Sequence, residues 1–330
     1  MTTALPLTYA GTVYDRTQPL YDGSVRPEGI ELRYLELDIE ELFWRQARYQ
    51  EFDAAEFSLG AYLASVERPD RPFDALPVFP SRAFRHSALY IRGDSEVSTV
   101  GDLGGRAVGT PEWSMTASLW MRGILGDHHG VDLTSVRWVT GGLEEPGRQE
   151  KSGVTPPSSF DVTRLAPDQT LSAALMSGEI DALLSARPPR AFMTGEGWIK
   201  RLLPDFQAAE RAFFEATAIV PIMHVVVVKR ELLQRHPWVA NNLRAAFELA
   251  RRPAGRRLAD TAVSFSSLVW EAAYAEQEAD LLGDPFAYGV DANRAALEAI
   301  LRYAAEQGFT SRVLEPEEIF HPSTVTDSKV

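Results

Sequence analysis

The sequence predicts an α/β protein of two lobes with a ligand cleft between them. Three observations carry that prediction. Strand-like and helix-like segments alternate along the chain, and no repeat of solenoid period interrupts them. The 330 residues are a two-domain length at about 100–200 residues per domain. Two well-formed apolar strands, 86–92 and 222–229, stand as crossings on either side of a middle stretch. Residues 1–92 and 222–330 then form a discontinuous first lobe, and residues 93–221 an inserted second lobe.

The first lobe opens with a β-rich stretch at 6–13. A second strand at 30–37 sets Ile30, Leu32 and Tyr34 on one face with a period of two. The turn-formers Asp22-Gly23 and Pro27-Glu28-Gly29 separate the two. Residues 38–50 place Ile39, Leu42, Phe43 and Ala47 at helical spacing behind Asp38, a short polar side chain suited to the N-cap. This βαβα start points to a parallel sheet. A short strand at 54–58 feeds a helix from Leu59, and a strand at 76–79 ends at Pro80.

In the second lobe, turn-rich residues 100–105 lead into a strand at 106–109. Thr110-Pro111-Glu112-Trp113-Ser114 opens a helix to about Gly126 with Ser114 as its N-cap, and a strand at 135–140 ends in Gly141-Gly142. Residues 151–167, rich in Ser, Pro and Gly, read as an irregular excursion. A helix at 170–178 stops on glycine, a strand follows at 179–186, and the pattern is irregular until 222. From Pro237 the chain is helical, over 237–252, 256–282 and 291–307, the last closed by Gly308.

Asp plus Glu outnumber Lys plus Arg by 46 to 33, and the net charge of -13 repels phosphate backbones and anionic bilayers. Nucleic acid and membrane are therefore not expected as partners. Cysteine is absent, which removes disulfides, thiol nucleophiles, Cys-ligated zinc and iron–sulfur clusters. No signal-peptide pattern opens the sequence. The longest apolar stretch, 218–228, is broken by Pro221 and His224 and is too short to span a bilayer. A cytoplasmic protein is expected.

In parallel α/β sheets, ligands collect beyond the carboxyl ends of strands, where helix N-termini present free N–H groups. Those positions hold Asp15 and Arg16, then Ser58, then Arg82 in the first lobe. In the second they hold Glu112, Trp113 and Ser114, then Gly142 with Arg148 a few residues on, then Arg187 and Arg190. Five arginines so placed in an acidic chain point to a cleft for an anion. A carboxylate is the simplest, since guanidinium grips it with two parallel hydrogen bonds. Any one of them could instead be solvated or paired with a neighbouring acid.

His86 and His224 begin the two crossing strands, which would bring both to the hinge side of one cleft. Imidazole titrates near neutral pH, so either could move a proton there, and the plainer role is a hydrogen-bonded hinge histidine. Trp113, at a turn, could stack on an aromatic ligand or sit in the core. No HExxH spacing occurs and no metal ligands are assigned; no cofactor is expected, with a divalent metal left open. Phosphate-cradling glycine loops and a GxSxG elbow are absent.

Several segments are familiar together. They are Asp15-Arg16-Thr17 with Asp22-Gly23 and Pro27-Glu28-Gly29-Ile30; Phe79-Pro80-Ser81-Arg82 with Phe84-Arg85-His86-Ser87; and Gly109-Thr110-Pro111-Glu112 with Met115-Thr116-Ala117 and Arg122-Gly123-Ile124-Leu125. Thr140-Gly141-Gly142-Leu143-Glu144, Pro146-Gly147-Arg148, Ser177-Gly178-Glu179-Ile180-Asp181-Ala182 and Met223-His224-Val225 continue the pattern. From about Leu7 to Ser323 the chain resembles the 4,5-dihydroxyphthalate decarboxylase family, within the type 2 periplasmic-binding-protein fold.

The resemblance implies nonoxidative removal of one carboxylate from a dihydroxylated phthalate to give protocatechuate. A phenolate para to the carboxylate feeds electron density to the ipso carbon, an acid protonates that carbon, and carbon dioxide leaves. Such a reaction needs groups that hold the carboxylates, a base at the phenol and an acid at the ring. On this reading Arg82, Arg148 and Arg187 bind carboxylates, His86 donates the proton, and Glu112 or His224 serves the phenol. Asp15 and Arg16 help to orient the small aromatic carboxylate, and a homo-oligomer stays open. The competing reading is a cytoplasmic or exported binding protein for a small aromatic or dicarboxylate anion, because the fold hosts both classes. An iron-dependent thiamine-precursor synthase-like enzyme is disfavoured by the lack of cysteine.

Overall fold

The computed structural model describes residues 4–195 and 198–325. β1 (Leu5–Gly11) and β2 (Ile30–Glu36) pair in parallel, from Leu5 opposite Ile30 to Gly11 opposite Glu36. α1 (Gln18–Tyr21) lies in the crossover with Pro19 and Leu20 turned inward. α2 (Ile39–Tyr49) starts on Asp38, whose carboxylate accepts the Glu40 N–H at 2.9 Å, so the cap stands where the sequence places it. β3 (Ala54–Ser58) joins β1 in parallel, and Ser58 caps α3 (Leu59–Val66).

β4 (Phe73–Leu76) ends three residues before the expected strand end, because Pro77 and Pro80 have no N–H to give a ladder. β11 (His224–Lys229) returns to this sheet antiparallel to both β3 and β4, giving the order β2-β1-β3-β11-β4. The sheet is therefore mixed, not parallel throughout.

The expected crossing strand 86–92 is divided. Residues 86–88 form a 3-10 turn, and β5 (Leu89–Arg92) already belongs to the second sheet. Leu89 pairs with Leu184 and accepts the Leu202 N–H, which locks it between neighbours of that sheet. A lobe boundary drawn after residue 92 thus cuts the second sheet; the change of sheet falls between β4 and β5. β6 (Ala107–Thr110) and α4 (Thr116–His129) follow. α4 begins behind Met115, and Ser114 does not cap it, since its hydroxyl and N–H are taken by the Glu150 carboxylate.

β7 (Arg137–Thr140) pairs in parallel with β8 (Asp161–Arg164), a strand inside the stretch expected to be irregular. α5 (Leu171–Ser177) is capped by Thr170 and stopped by Gly178 in the left-handed region, as its sequence predicts. β9 (Ala182–Leu184), α6 (Arg190–Thr194), β10 (Ile199–Arg201) and α7 (Phe206–Thr217) come next. The last three occupy a stretch that reads as irregular, and α7 is set by Asp205 accepting the Ala208 N–H. The second sheet runs β10-β5-β9-β6-β7-β8.

α8 (Arg230–Arg235) leads to α9 (Trp238–Leu258), which continues through Pro253 beyond its expected end. Residues 259–270 are not helical, so the expected helix 256–282 shrinks to α10 (Glu271–Leu282). α11 (Arg294–Glu306) packs on α4, where Gly123 leaves room for the ring of Tyr303. One apolar core runs from the first sheet through α4 into α11, and a smaller one backs the second sheet around Leu171, Leu175 and Leu183. Among the described residues, no helix is long and apolar enough to cross a membrane.

Candidate active site

A cavity of ≈ 410 Å³ opens where the two sheets face each other. One wall comes from α2 (Ile39, Phe43), the β3–α3 turn (Phe57, Ser58) and the start of β11 (His224). The other comes from the ends of β6, β7 and β9, with Glu112, Arg148 and Ser185. The carboxyl ends of strands in both sheets thus supply polar groups, as the general rule for such sheets expects.

His224 is held on several sides. Its register against Ser58 brings Nδ1 to 2.6 Å from Oε1 of Glu56, a fully buried carboxylate on β3. The same carboxylate accepts the Tyr14 hydroxyl at 2.7 Å and the Thr12 N–H at 3.0 Å. An acceptor so surrounded fixes the imidazole hydrogen on Nδ1 and leaves Nε2 for a ligand. Phe43 meets the ring edge-on with centroids 4.9 Å apart, which sets its plane. Beside it, the hydroxyls of Ser58 and Thr116 are 2.9 Å apart and tie the two lobes together.

Arg85 lines the cavity from the segment linking the lobes. Among the described residues no carboxylate lies in ion-pair range of it; its Nε donates to the Met223 sulfur at 3.5 Å. Burial lowers its pKa, only partly countered by Glu210, so the guanidinium is short of a counter-charge. Across the cavity, Glu112 is buried between two cations, Arg148 at 2.6 Å and Lys151 at 3.3 Å. Arg148 also reaches Glu40 on α2 at 3.5 Å, and Arg187 reaches Glu40 and Asp38 at 3.4 and 3.5 Å.

The structure therefore gathers Ser58, Glu112, Ser114, Arg148, Arg187 and His224 around one cavity. Other expected site residues are not brought there. His86 is buried in a side cluster against Phe213 and His129, with Nδ1 4.0 Å from Glu210. Burial and the two neighbouring histidines lower its pKa to about 4. Arg82 turns away from the cavity at an isolated antiparallel bridge to Ile222. Its guanidinium donates to Asn293 and the Ala287 carbonyl, and burial lowers its pKa to about 10.

Arg16 is spent on the Pro80 carbonyl, on Asp15 and on the faces of Tyr14 and Phe286. Trp113 is core, donating to the Gln307 carbonyl and stacked under the buried Arg122 at 3.8 Å. Gly142 shapes the turn before Arg148, where any side chain would strike the Glu145 carbonyl. Arg190 is exposed, with its N–H on Glu144. Sequence reasoning missed Arg85, Glu56, Thr116 and Lys151. Glu56 carried a usable signal, a lone carboxylate inside the apolar strand Ala54-Ala55-Glu56-Phe57. Among the described residues no three His, Asp or Glu side chains converge as a metal site requires.

Two sheets of this order flanking one cleft define the fold of the periplasmic binding proteins. The chain aligns with the periplasmic aliphatic sulphonate binding protein of Escherichia coli over 98% of its length and 95% of that protein's, with 12% identity and a TM-score of 0.51. The alkanesulfonate-binding protein of Xanthomonas axonopodis aligns over 96% and 98%, with 13% identity and a TM-score of 0.50. At such identities the likeness concerns the fold alone.

The chain belongs to the 4,5-dihydroxyphthalate decarboxylase family. It is 35% identical over 327 residues to the 4,5-dihydroxyphthalate decarboxylase of Comamonas testosteroni, covering 99% of both chains. The enzyme of that name from Pseudomonas putida is 39% identical over 212 residues, 64% of this chain and 82% of that one. No family model matches the chain.

Proposed function

We propose that this chain is a carboxy-lyase that converts 4,5-dihydroxyphthalate to protocatechuate and carbon dioxide in the cleft between its lobes. Family membership across the whole length supports the reaction, and the pairing of His224 with Glu56 opposite cationic side chains is the observation that supports its place. With His86 outside the cleft, the proton donor becomes His224. Its imidazolium, stabilised by the Glu56 carboxylate, protonates the ring carbon that bears the departing carboxylate. The ring–carboxylate bond breaks, its electron pair stays with the ring, and carbon dioxide leaves.

Arg85 holds a carboxylate, and Glu112 takes the phenol proton while Arg148 and Lys151 offset the charge that develops on the oxygen. Arg187 gathers the dianion at the rim. Phe43 and Phe57, two of the three phenylalanines that line the cavity, flank a planar ring. The expected cytoplasmic location goes with this reading.

The test is incubation of the purified protein with 4,5-dihydroxyphthalate and related benzoates, with and without chelator, following carbon dioxide and the product spectrum. Protocatechuate formation is expected. Tight binding of the diacid with no carbon dioxide would overturn the reading in favour of a solute-binding protein.

A further inference from the structure

Residues 259–270, between α9 and α10, are exposed at every position. They are nevertheless a built loop. The Glu271 carboxylate accepts the N–H groups of Phe265 and Ser266 at 2.9 and 2.6 Å and the Ser264 hydroxyl at 3.3 Å. What the loop presents is apolar. Val263, Phe265, Leu268, Val269 and Trp270 all stand out, Val269 at 96% exposure, and Tyr274 continues the patch edge-on to Trp270. Single exposed apolar side chains are ordinary, whereas a contiguous group marks an interaction surface. α10 has the same deficit: of its 12 residues only Glu271 is buried, and helices of that length are marginal in water without packing.

We propose that this arm, residues 259–282, docks a second copy of this chain in a twofold dimer. Charge selects that occupant. The chain as a whole carries -13, so two copies repel over most of their surfaces. The arm itself carries five acids, Asp260, Glu271, Glu276, Glu278 and Asp280, and no base, whereas the end of α9 beside it carries Arg251, Arg252, Arg256 and Arg257. The signs are also sorted by element: the exposed Arg252, Arg256 and Arg257 end α9, and the exposed Glu276, Glu278 and Asp280 run along α10. A twofold axis through the loop sets the arginines of each copy against the acids of the other, around an aromatic centre. An anionic lipid surface lacks this match, because the arm has no excess of positive charge.

Sedimentation velocity on the full chain over a wide concentration range tests the dimer. It is paired with far-UV circular dichroism and with two kinds of variant. The double variant Val269→Glu, Trp270→Glu is expected to keep the spectrum and to weaken self-association by about tenfold or more. Arg256→Glu with Arg257→Glu, and Glu276→Lys with Glu278→Lys, should each dimerise poorly alone and re-form dimers when mixed. A wild-type chain that stays monomeric overturns the proposal, as does a dimer that the loop variant leaves intact. Charge variants that dimerise alone as well as wild type also overturn it. A monomer that co-sediments with vesicles of anionic phospholipid would give the surface to a membrane and overturn it too.

Discussion

His224 Nδ1 stands 2.6 Å from Oε1 of Glu56, and that carboxylate is fully buried beneath the cleft. A buried carboxylate is costly unless each oxygen is satisfied. Here Thr12 and Tyr14 supply the other donors, so the charge is available to stabilise an imidazolium. Replacing His224 by Ala should lower kcat by about 10²–10⁴-fold, the usual worth of a placed acid. Glu56→Gln keeps an acceptor for the Thr12 N–H but loses the charge, so kcat should fall by about 10–10²-fold with KM little changed. Steady-state kinetics on both variants check this, and activities within twofold of wild type would remove the dyad from the reaction.

Arg85 and Arg82 make opposite predictions although both are buried arginines near the link between the lobes. Arg85 has no carboxylate partner among the described residues and faces the cavity. Arg85→Met should therefore raise KM by about 10–10²-fold, the worth of hydrogen bonds to a charged group. It should leave the melting temperature unchanged or higher, since no partner is orphaned. Arg82→Met leaves the Asn293 side-chain oxygen without its donor, while the Ala287 carbonyl keeps the Asn293 amide. It should cost about 1–3 kcal/mol of stability with KM unaffected. Parallel melts and kinetics separate the two, and an unchanged KM in Arg85→Met would remove it from substrate binding.

Glu40 competes for the cations that a dianion would use. It forms ion pairs with Arg148 and Arg187 across the cleft, and both pairs are partly exposed and longer than 3.3 Å. Such pairs are worth about 0–1 kcal/mol. Glu40→Gln should hardly move the melting temperature and should lower KM by up to about fivefold, because the arginines are released to the substrate. A rise in KM would mean instead that these pairs hold the lobes closed over the ligand.

Local signals were the legible part. Strand 54–58, the Asp38 cap and the Gly178 stop each depend on neighbours a few residues away, and all three stand where the sequence sets them. Placement at a strand end was also legible, which is why Glu112, Arg148, Arg187 and His224 meet. What sequence position does not specify is the side of the chain on which a group emerges. Arg85 and His86 are neighbours, yet one lines the cleft and the other lies in the cluster with Phe213. The bridge between Arg82 and Ile222 turns Arg82 toward Asn293 in the same way, through contacts more than a hundred residues distant in sequence. The antiparallel return of β11 is non-local as well, and it is what brings His224 beside Glu56.

The cluster behind Arg85 makes stability depend on pH. Burial raises the Glu210 carboxyl from 4.5 to about 7, against the lowering influence of the Ser87 and His86 N–H groups and of Arg85 and Arg201. Burial, then His129 and His128, lower His86 from 6.5 to about 4. Glu210 binds its proton more tightly when folded, so its contribution is complete below pH 4.5 and is lost as pH rises through about 7. For His86 the sign is reversed: its contribution is complete above pH 6.5 and is lost as pH falls through about 4. Both groups are then neutral together between those limits, and the fold should be most stable there. Glu210→Gln removes the alkaline loss, so its melting temperature should exceed that of wild type near pH 8, by the equivalent of at most about 3 kcal/mol. The two proteins should converge near pH 4.5, where Glu210 is already neutral. A difference that stayed constant from acid to alkaline pH would show that titration of this carboxyl does not limit the fold.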